Sequence, residues 1–294
     1  MKHCKSTACI LGLVLAFVVA AAAADKPPLT FKFKKFTVPG AIDTNAGGIN
    51  NKGVTVGQYT DKKLVLHGFI LNGTKLTKLD DPNGTSTGAS NLTLDGAIAV
   101  VGAYTNTKTG SSTGFLYKGG KFTDIPGPTG ATASSASAIN DAGDIVGDYV
   151  DSSSVTHGFL LKGGKYTTLD PPGSLGTVAT GVNKKDNIVM YWINSGGTYE
   201  SSLYNGKTYK TINVPNEANS IATDINTAGD VTYQVIDSAG ADHGALLHLG
   251  KYYVINYPKS AFTFAGAVND HSTIVGGWRT TSGGHNIGYT ATFK

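Results

Sequence analysis

Cysteine is confined to the N-terminal end of the chain. Cys4 and Cys9 are the only two in 294 residues, and both fall in the segment MKHCKSTACILGLVLAFVVAAAAADK. That segment reads as a secretory signal over residues 1–24: a short basic start, an apolar run from Ala8 to Val19, and Ala22-Ala23-Ala24 before Asp25. Neither cysteine stands at the end of the leader, where a lipid-modified cysteine is expected. Cleavage after Ala24 leaves no cysteine, which excludes disulfides, thiolate metal sites and cysteine nucleophiles. A retained anchor helix is the alternative for this segment. No other run approaches the ~18 apolar residues that a membrane span needs, so none is expected after signal removal.

Charge is scarce as well. Arg279 is the sole arginine, Glu200 and Glu217 are the only glutamates, and charged residues make up 15% of the chain. Losing Lys2 and Lys5 with the leader lowers the formal net charge from +4 to +2, spread without a basic block. Nucleic acid is therefore not an expected partner, because its binding rests on neutralising several phosphates at once. What is abundant is glycine, with serine, threonine and asparagine, between short apolar runs. With 40% hydrophobic residues this composition reads as an all-β domain rather than as disorder. Residues 25–294 suffice for one large domain.

The informative feature is an internal period. INNKGVTVGQY (49–59), LDGAIAVVGAY (94–104), INDAGDIVGDY (139–149), VNKKDNIVMYW (182–192), INTAGDVTYQV (225–235) and VNDHSTIVGGW (268–278) are six copies of one unit. Aligned on Gly57, Gly102, Gly147, Met190, Tyr233 and Gly276 they are spaced by 45, 45, 43, 43 and 43 residues. The third copy is the clearest. ASAIN (136–140) is a strand, DAGD a turn in which Gly143 supplies a positive φ, and IVGDYV (145–150) a second strand. THGFLLK (156–162) and, after Gly163-Gly164, KYTTL (165–169) follow, ended by Pro171 and Pro172. Four short antiparallel strands of this length make one propeller blade.

The sixth copy ends at HNIGYTATFK (285–294) without a fourth strand. KFKKFTVP (32–39) has the length, lysine start and proline end of the fourth strands KLTKLDDP (75–82) and KYYVINYP (251–258). We therefore expect an all-β, six-bladed β-propeller of four-stranded blades, closed by an N-terminal strand completing the last blade, which removes exposed sheet edges. The repeats run near 41–84, 85–128, 129–173, 174–216, 217–259, and 260–294 plus 29–40. An open solenoid is the competing architecture, but no polar caps are visible.

The pattern INxxGxIVGxY, HGF, GGK[FY] and LDxPG resembles the HAF family of probable extracellular repeats of secreted bacterial proteins, over nearly the whole mature chain. The name-giving tripeptide stands here as His67-Gly68-Phe69 and His157-Gly158-Phe159. It shifts to His243-Gly244-Ala245 in the fifth copy and is lost in the fourth, at Glu200-Ser201-Ser202-Leu203. The resemblance implies export, to the periplasm or beyond, and a repeat fold; it brings no reaction and no catalytic residues.

Candidate chemistry is sparse. His67, His157 and His243 recur at one offset in different blades, so they should lie far apart and cannot share a metal; structural packing is the simpler reading. His271 and His285 break the pattern but have no nearby carboxylates. Asn50, Asp95, Asn140, Asn183, Asn226 and Asn269 form a ring best read as Asx-turns; calcium would want more carboxylates. Tyr59, Tyr104, Tyr149, Trp192, Val235 and Trp278 read as packing between blades. The binding candidates are Trp192 and Trp278 with Arg279, beside the loops NSGGTYE (194–200) and TTSGGH (280–285). No serine elbow, paired glutamates, HExxH or phosphate loop appears, so no catalytic residue, metal or cofactor is assigned. The expectation is a monomeric secreted scaffold that binds an extracellular protein or glycan through one loop-bearing face. A lactonase- or glycosidase-like enzyme and a purely structural envelope component are the alternatives.

Overall fold

Alternation is the local rule from which the architecture is built. In the segment ASSASAI every second side chain is buried, the period of a strand packed on its neighbours. The same pattern recurs once per copy. The computed structural model describes residues 29–294; the expected signal segment lies outside them.

The described residues form β1 (Phe31–Phe36) and six successive groups of strands. Blade 1 is β2 (Ala41–Ile49), β3 (Thr55–Asp61), β4 (Leu66–Asn72) and β5 (Lys75–Leu79). Blade 2 is β6 (Gly84–Leu92), β7 (Ala99–Asn106), β8 (Ser112–Lys118) and β9 (Lys121–Ile125). Blade 3 is β10 (Ala133–Ile139), β11 (Ile145–Val150), β12 (Thr156–Lys162) and β13 (Lys165–Leu169). Blade 4 is β14 (Gly176–Val182), β15 (Ile188–Ile193), β16 (Tyr199–Tyr204) and β17 (Tyr209–Thr211). Blade 5 is β18 (Asn219–Ile225), β19 (Val231–Ile236), β20 (Asp242–His248) and β21 (Lys251–Ile255). Blade 6 is β22 (Phe262–Val268), β23 (Thr273–Arg279) and β24 (Ile287–Phe293), with β1 as its outermost strand.

The first strands of successive blades touch one another, and that of blade 6 touches that of blade 1, so the ring is closed around an axis. The expected six-bladed propeller is what forms. Its closure is antiparallel: Phe31 stands opposite Phe293 and Phe36 opposite Gly288. Phe33 meets the rings of Tyr257 and Tyr289 edge-on at 5.2 and 5.4 Å. Lys32, Lys34 and Lys35 point to solvent, a charged edge that discourages a further strand from adding.

The departures from the repeat follow a volume rule. Gly57, Gly102, Gly147 and Gly276 in the second strands stand opposite Phe69, Phe115, Phe159 and Tyr289 in the third, and these rings are fully buried. A Cβ at Gly147 would sit 2.0 Å from the Ser135 carbonyl oxygen and 3.0 Å from the Phe159 ring. In blades 4 and 5 the large residue changes strand: Met190 faces Ser202 and Tyr233 faces Ala245. Each blade thus keeps one bulky core residue, whose burial stabilises by roughly 1.5–3 kcal/mol, and the HGF motif fades where the bulk moves across.

Candidate functional site

At one shared position each first strand slips register against its neighbour, which leaves an extra residue: Gly47, Ser90, Ser137, Thr180, Thr223 and Gly266; β2 and β6 slip a second time near their starts, at Ile42 and Thr85. Such bulges re-aim side chains, and all six residues at the shared position line a cavity on the axis. Thr180 and Thr223 donate their hydroxyls to the carbonyls of Ala222 (2.8 Å) and Ala265 (2.7 Å) in the next blade. Ser90 and Ser137 are partly exposed. The two glycines stand in adjacent blades, so one side of the ring is bare.

The cavity occupies about 330 Å³ and opens on the face carrying the loops between second and third strands, hereafter the loop face. None of its lining residues is charged at neutral pH; the one titratable group among them is the Tyr191 hydroxyl, which burial pushes up to about 12. Its polar groups are Asn45, Gln58, Asn91, Gln234 and the hydroxyls of the ring and of Tyr191; its apolar wall is Phe264 with Ile221. Two glycines make room for these side chains. A Cβ at Gly277 would lie 2.4 Å from the Phe264 ring, and one at Gly88 2.5 Å from Gln58 Oε1. The Asn45 Oδ1 atom is buried without a hydrogen-bond partner.

The floor is a bridge across the axis. Asn91 Nδ2 of blade 2 donates to Asp224 Oδ1 of blade 5 at 3.2 Å, and the Val268 amide donates to Asp224 Oδ2 at 3.2 Å. The matching positions in the other blades are Gly48, Ala138, Gly181 and Ala267, small enough to let the bridge form. A Cβ at Gly48 would sit 2.7 Å from Asn91 Oδ1. Burial pushes the Asp224 carboxyl up to about 7, against the lowering effect of the hydrogen bonds from Val268, Ile225 and Asn91.

Beyond the bridge the turn face is charged. Asn51 Nδ2 donates to Asp95 Oδ1 (3.1 Å) and Asp270 Oδ2 (3.3 Å). Lys184 bonds Asp95 and reaches Asp141 at 3.4 Å, and its hydrogen bond holds Asp95 below the usual carboxylate range. Under this network the asparagines form a belt. Nδ2 of Asn140, Asn183, Asn226 and Asn269 donates to the backbone carbonyl of Asn183 (3.5 Å), Asn226 (2.9 Å), Asn269 (3.1 Å) and Asn50 (2.9 Å) respectively. Their Oδ1 atoms close the Asx-turns as expected, as when Asn50 accepts from Lys52 and Val54.

Asp95 is not in that belt, contrary to the sequence register. The turn of blade 2 is two residues longer, and Thr93 takes the position, accepting from the Ala99 amide at 3.1 Å. Aligning the first strands would have found it, since SNLT (90–93) matches SAIN (137–140).

The repeat histidines are structural clamps in separate blades. His67 lies between Asp80 (2.8 Å) and Asp61 (3.4 Å), His157 between Asp170 (2.7 Å) and Asp151 (3.4 Å), and His243 between Asn256 (2.9 Å) and Asp237 (3.2 Å). Burial lowers the His157 pKa, but the bonds and charges of Asp170 and Asp151 outweigh it and leave it raised. His271 bonds the Asn51 carbonyl on the turn face, whereas His285 bonds Asp43 on the loop face. Among the described residues no group of three His, Cys, Asp or Glu is arranged to hold a metal ion.

Trp192 and the pair Trp278 and Arg279 stand at the loop-face ends of β15 and β23, in different blades. Trp192 Nε1 donates to Ser202 Oγ at 3.0 Å. Trp278 is 8% exposed and stacked on Tyr257 at 3.9 Å and 7°. The Arg279 guanidinium lies 4.1 Å over the Phe262 ring. The axial residues, Asn45, Gln58, Asn91, Asp224 and Phe264, were missed by sequence reading because they sit where the copies disagree.

No family model and no curated protein matches this sequence. Solved structures do resemble it. The SapL1 lectin in complex with alpha methyl fucoside is 9% identical, with 85% of this chain and 93% of that one covered and a TM-score of 0.54. TolB from Acinetobacter baumannii is 10% identical over 83% of this chain and 67% of that one, also at 0.54. The β-propeller domain of the Trilobed protease from Pyrococcus furiosus is 12% identical over 85% and 95%, at 0.49. At such identities the likeness is one of fold: this chain is similar to β-propellers. Among the described residues no helix is long and apolar enough to cross a membrane.

Proposed function

We propose that this chain is an exported binding scaffold of the HAF type that takes its partner on the loop face and performs no reaction there. The export half of the reading rests on the leader composition. The binding half rests on one observation: the axial cavity, where side chains of all six blades converge, is concave, open and lined by no residue charged at neutral pH. Hydrolysis of a lactone or glycoside needs an acid and a base positioned about the same bond. The three carboxyls that burial raises do not converge. Asp81 lies in the loop before β6, accepting from the Asn83 amide. Asp148, pushed up to about 6, lies against Tyr191 between blades 3 and 4, and Asp224 lies under the floor toward the turn face.

A carbohydrate is the first ligand class to screen, because amides, hydroxyls and an aromatic ring are what a neutral sugar asks of a pocket. The fold similarity to a lectin points the same way. Trp192, Trp278 and Arg279 are proposed as rim residues of this face. A glycan array with the purified protein, run beside chromogenic lactone and glycoside assays, tests the reading. Binding without turnover is expected; turnover of any test substrate would overturn it.

A further inference from the structure

We infer that the axial cavity is a chain-end site for a neutral sugar residue, stacked on Phe264 and hydrogen-bonded by Asn45, Gln58 and Ser90; this rests on the binding reading above. Three observations specify the ligand. First, the lining offers amides and hydroxyls but no charge, so an ionic ligand such as a phosphate would lose its hydration shell without gaining a counter-charge. Second, the bare Gly47 and Gly266 of blades 1 and 6 lie beside Phe264, whose ring occupies the space that a side chain at position 277 would fill. A partly exposed ring flanked by unobstructed floor suits the C–H face of a pyranose; Asn45 Oδ1 stands beside the ring over Gly277, and Gln58 lines the same cavity over Gly88.

Third, the floor is shut. The Asn91 to Asp224 bridge and the small residues packed beside it close the channel, and the turn-face network of Asn51, Asp95 and Lys184 covers it from the other side. A polymer cannot thread through. What enters is a terminal residue, with the rest of the glycan leaving by the loop face past the rim. A cavity of about 330 Å³ is at the small end of the ~300–1,000 Å³ that ligand pockets span, which fits one sugar unit rather than several.

The test uses methyl glycosides of glucose, galactose, mannose and fucose as probes, read by ligand-observed saturation transfer and by chemical shifts of the intact protein. It is repeated with Phe264→Ala, which removes the platform, and Ser137→Trp, which fills the cavity from the opposite wall. Both variants are first checked for an unchanged circular dichroism spectrum. At least one glycoside should bind, with shifts centred on residues 45, 58, 90 and 264, and each variant should weaken it at least tenfold. A short oligosaccharide should bind as tightly per molecule as a long polymer of the same sugar, since each offers one such end. Array binding that survives both variants, or that grows with polymer length, would overturn the chain-end site while leaving a binding scaffold intact. Silence from glycosides and array alike would sink both.

Discussion

Asn91 and Asp224 lie 133 residues apart in the chain, in opposite blades, and meet at 3.2 Å across the propeller axis. The carboxyl is fully buried and titrates near 7 rather than near 3.8. Between those values the folded chain holds a proton that the unfolded chain has released, so stability contributed here falls as pH rises from about 4 to about 7 and is level above. At ~1.4 kcal/mol per unit the loss approaches about 4 kcal/mol. Asp224→Asn removes the titration. Urea melts at pH 4.5, 6, 7.5 and 9 should show the variant gaining on the native protein by up to that amount through the window. A difference independent of pH would show that Asp224 stays ionised.

The bridge marks the boundary of what the sequence made legible. A period repeated six times displays what all blades share: strand lengths, turns, the Asx residues, and the missing fourth strand that β1 supplies. The axis is built from differences. Gly48, Asn91, Ala138, Gly181, Asp224 and Ala267 occupy one structural position, and only two of them are polar. Nothing local says that these two face each other, because that depends on the blade count and on a bulge that turns each strand inward. The misplacement of Asp95 has the same origin: a two-residue insertion is invisible when copies are aligned on one glycine downstream of it.

The volume rule predicts sharply different costs for two glycines. Gly147→Ala drives a methyl to 2.0 Å from the Ser135 carbonyl, and overpacking of this kind costs about 1–3 kcal/mol or more. Gly176→Ala meets nothing closer than 3.8 Å and should change stability by less than about 1 kcal/mol. In blade 4, Ser202→Phe should destabilise against Met190, and adding Met190→Gly should recover most of the loss. Chemical denaturation of the four variants measures this; equal costs for the two glycines would refute the rule.

A turn offers a gain. The hairpin between the third and fourth strands of blade 3 is Gly163-Gly164, with φ of 55° and 78°; blade 5 has Leu249-Gly250 at 49° and 77°. The left-handed region costs a residue with a β-carbon roughly 1–2 kcal/mol, and Leu249 is 76% exposed, so its side chain contributes little packing. Leu249→Gly should therefore stabilise by about 1 kcal/mol, seen as a higher urea midpoint at unchanged slope. A lower midpoint would mean that the leucine packs on something in solution.

Among the ties that close the ring, two differ in kind: the ladder between β1 and β24 on the outside and the hydrogen bond from Asn269 to the Asn50 carbonyl near the axis. Phe33 is half-buried between Tyr257 and Tyr289. Its replacement by alanine should cost about 2 kcal/mol, less than the 3–5 of a fully buried ring, and lower the melting temperature by roughly 4–8 °C. Asn269→Ala takes one of two donors from the Asn50 carbonyl, which keeps the Gly53 amide, and strands the amides of His271 and Thr273, a loss of about 1–3 kcal/mol. The two sites share no partner, so the double variant should show additive costs. Removing residues 1–36 leaves the β24 edge unpaired and its rings bare, and such an edge recruits other strands. Light scattering should then show larger species than it does for the intact chain. A truncated protein that stays monomeric with an unchanged melting temperature would mean that the inner ring alone holds the propeller shut.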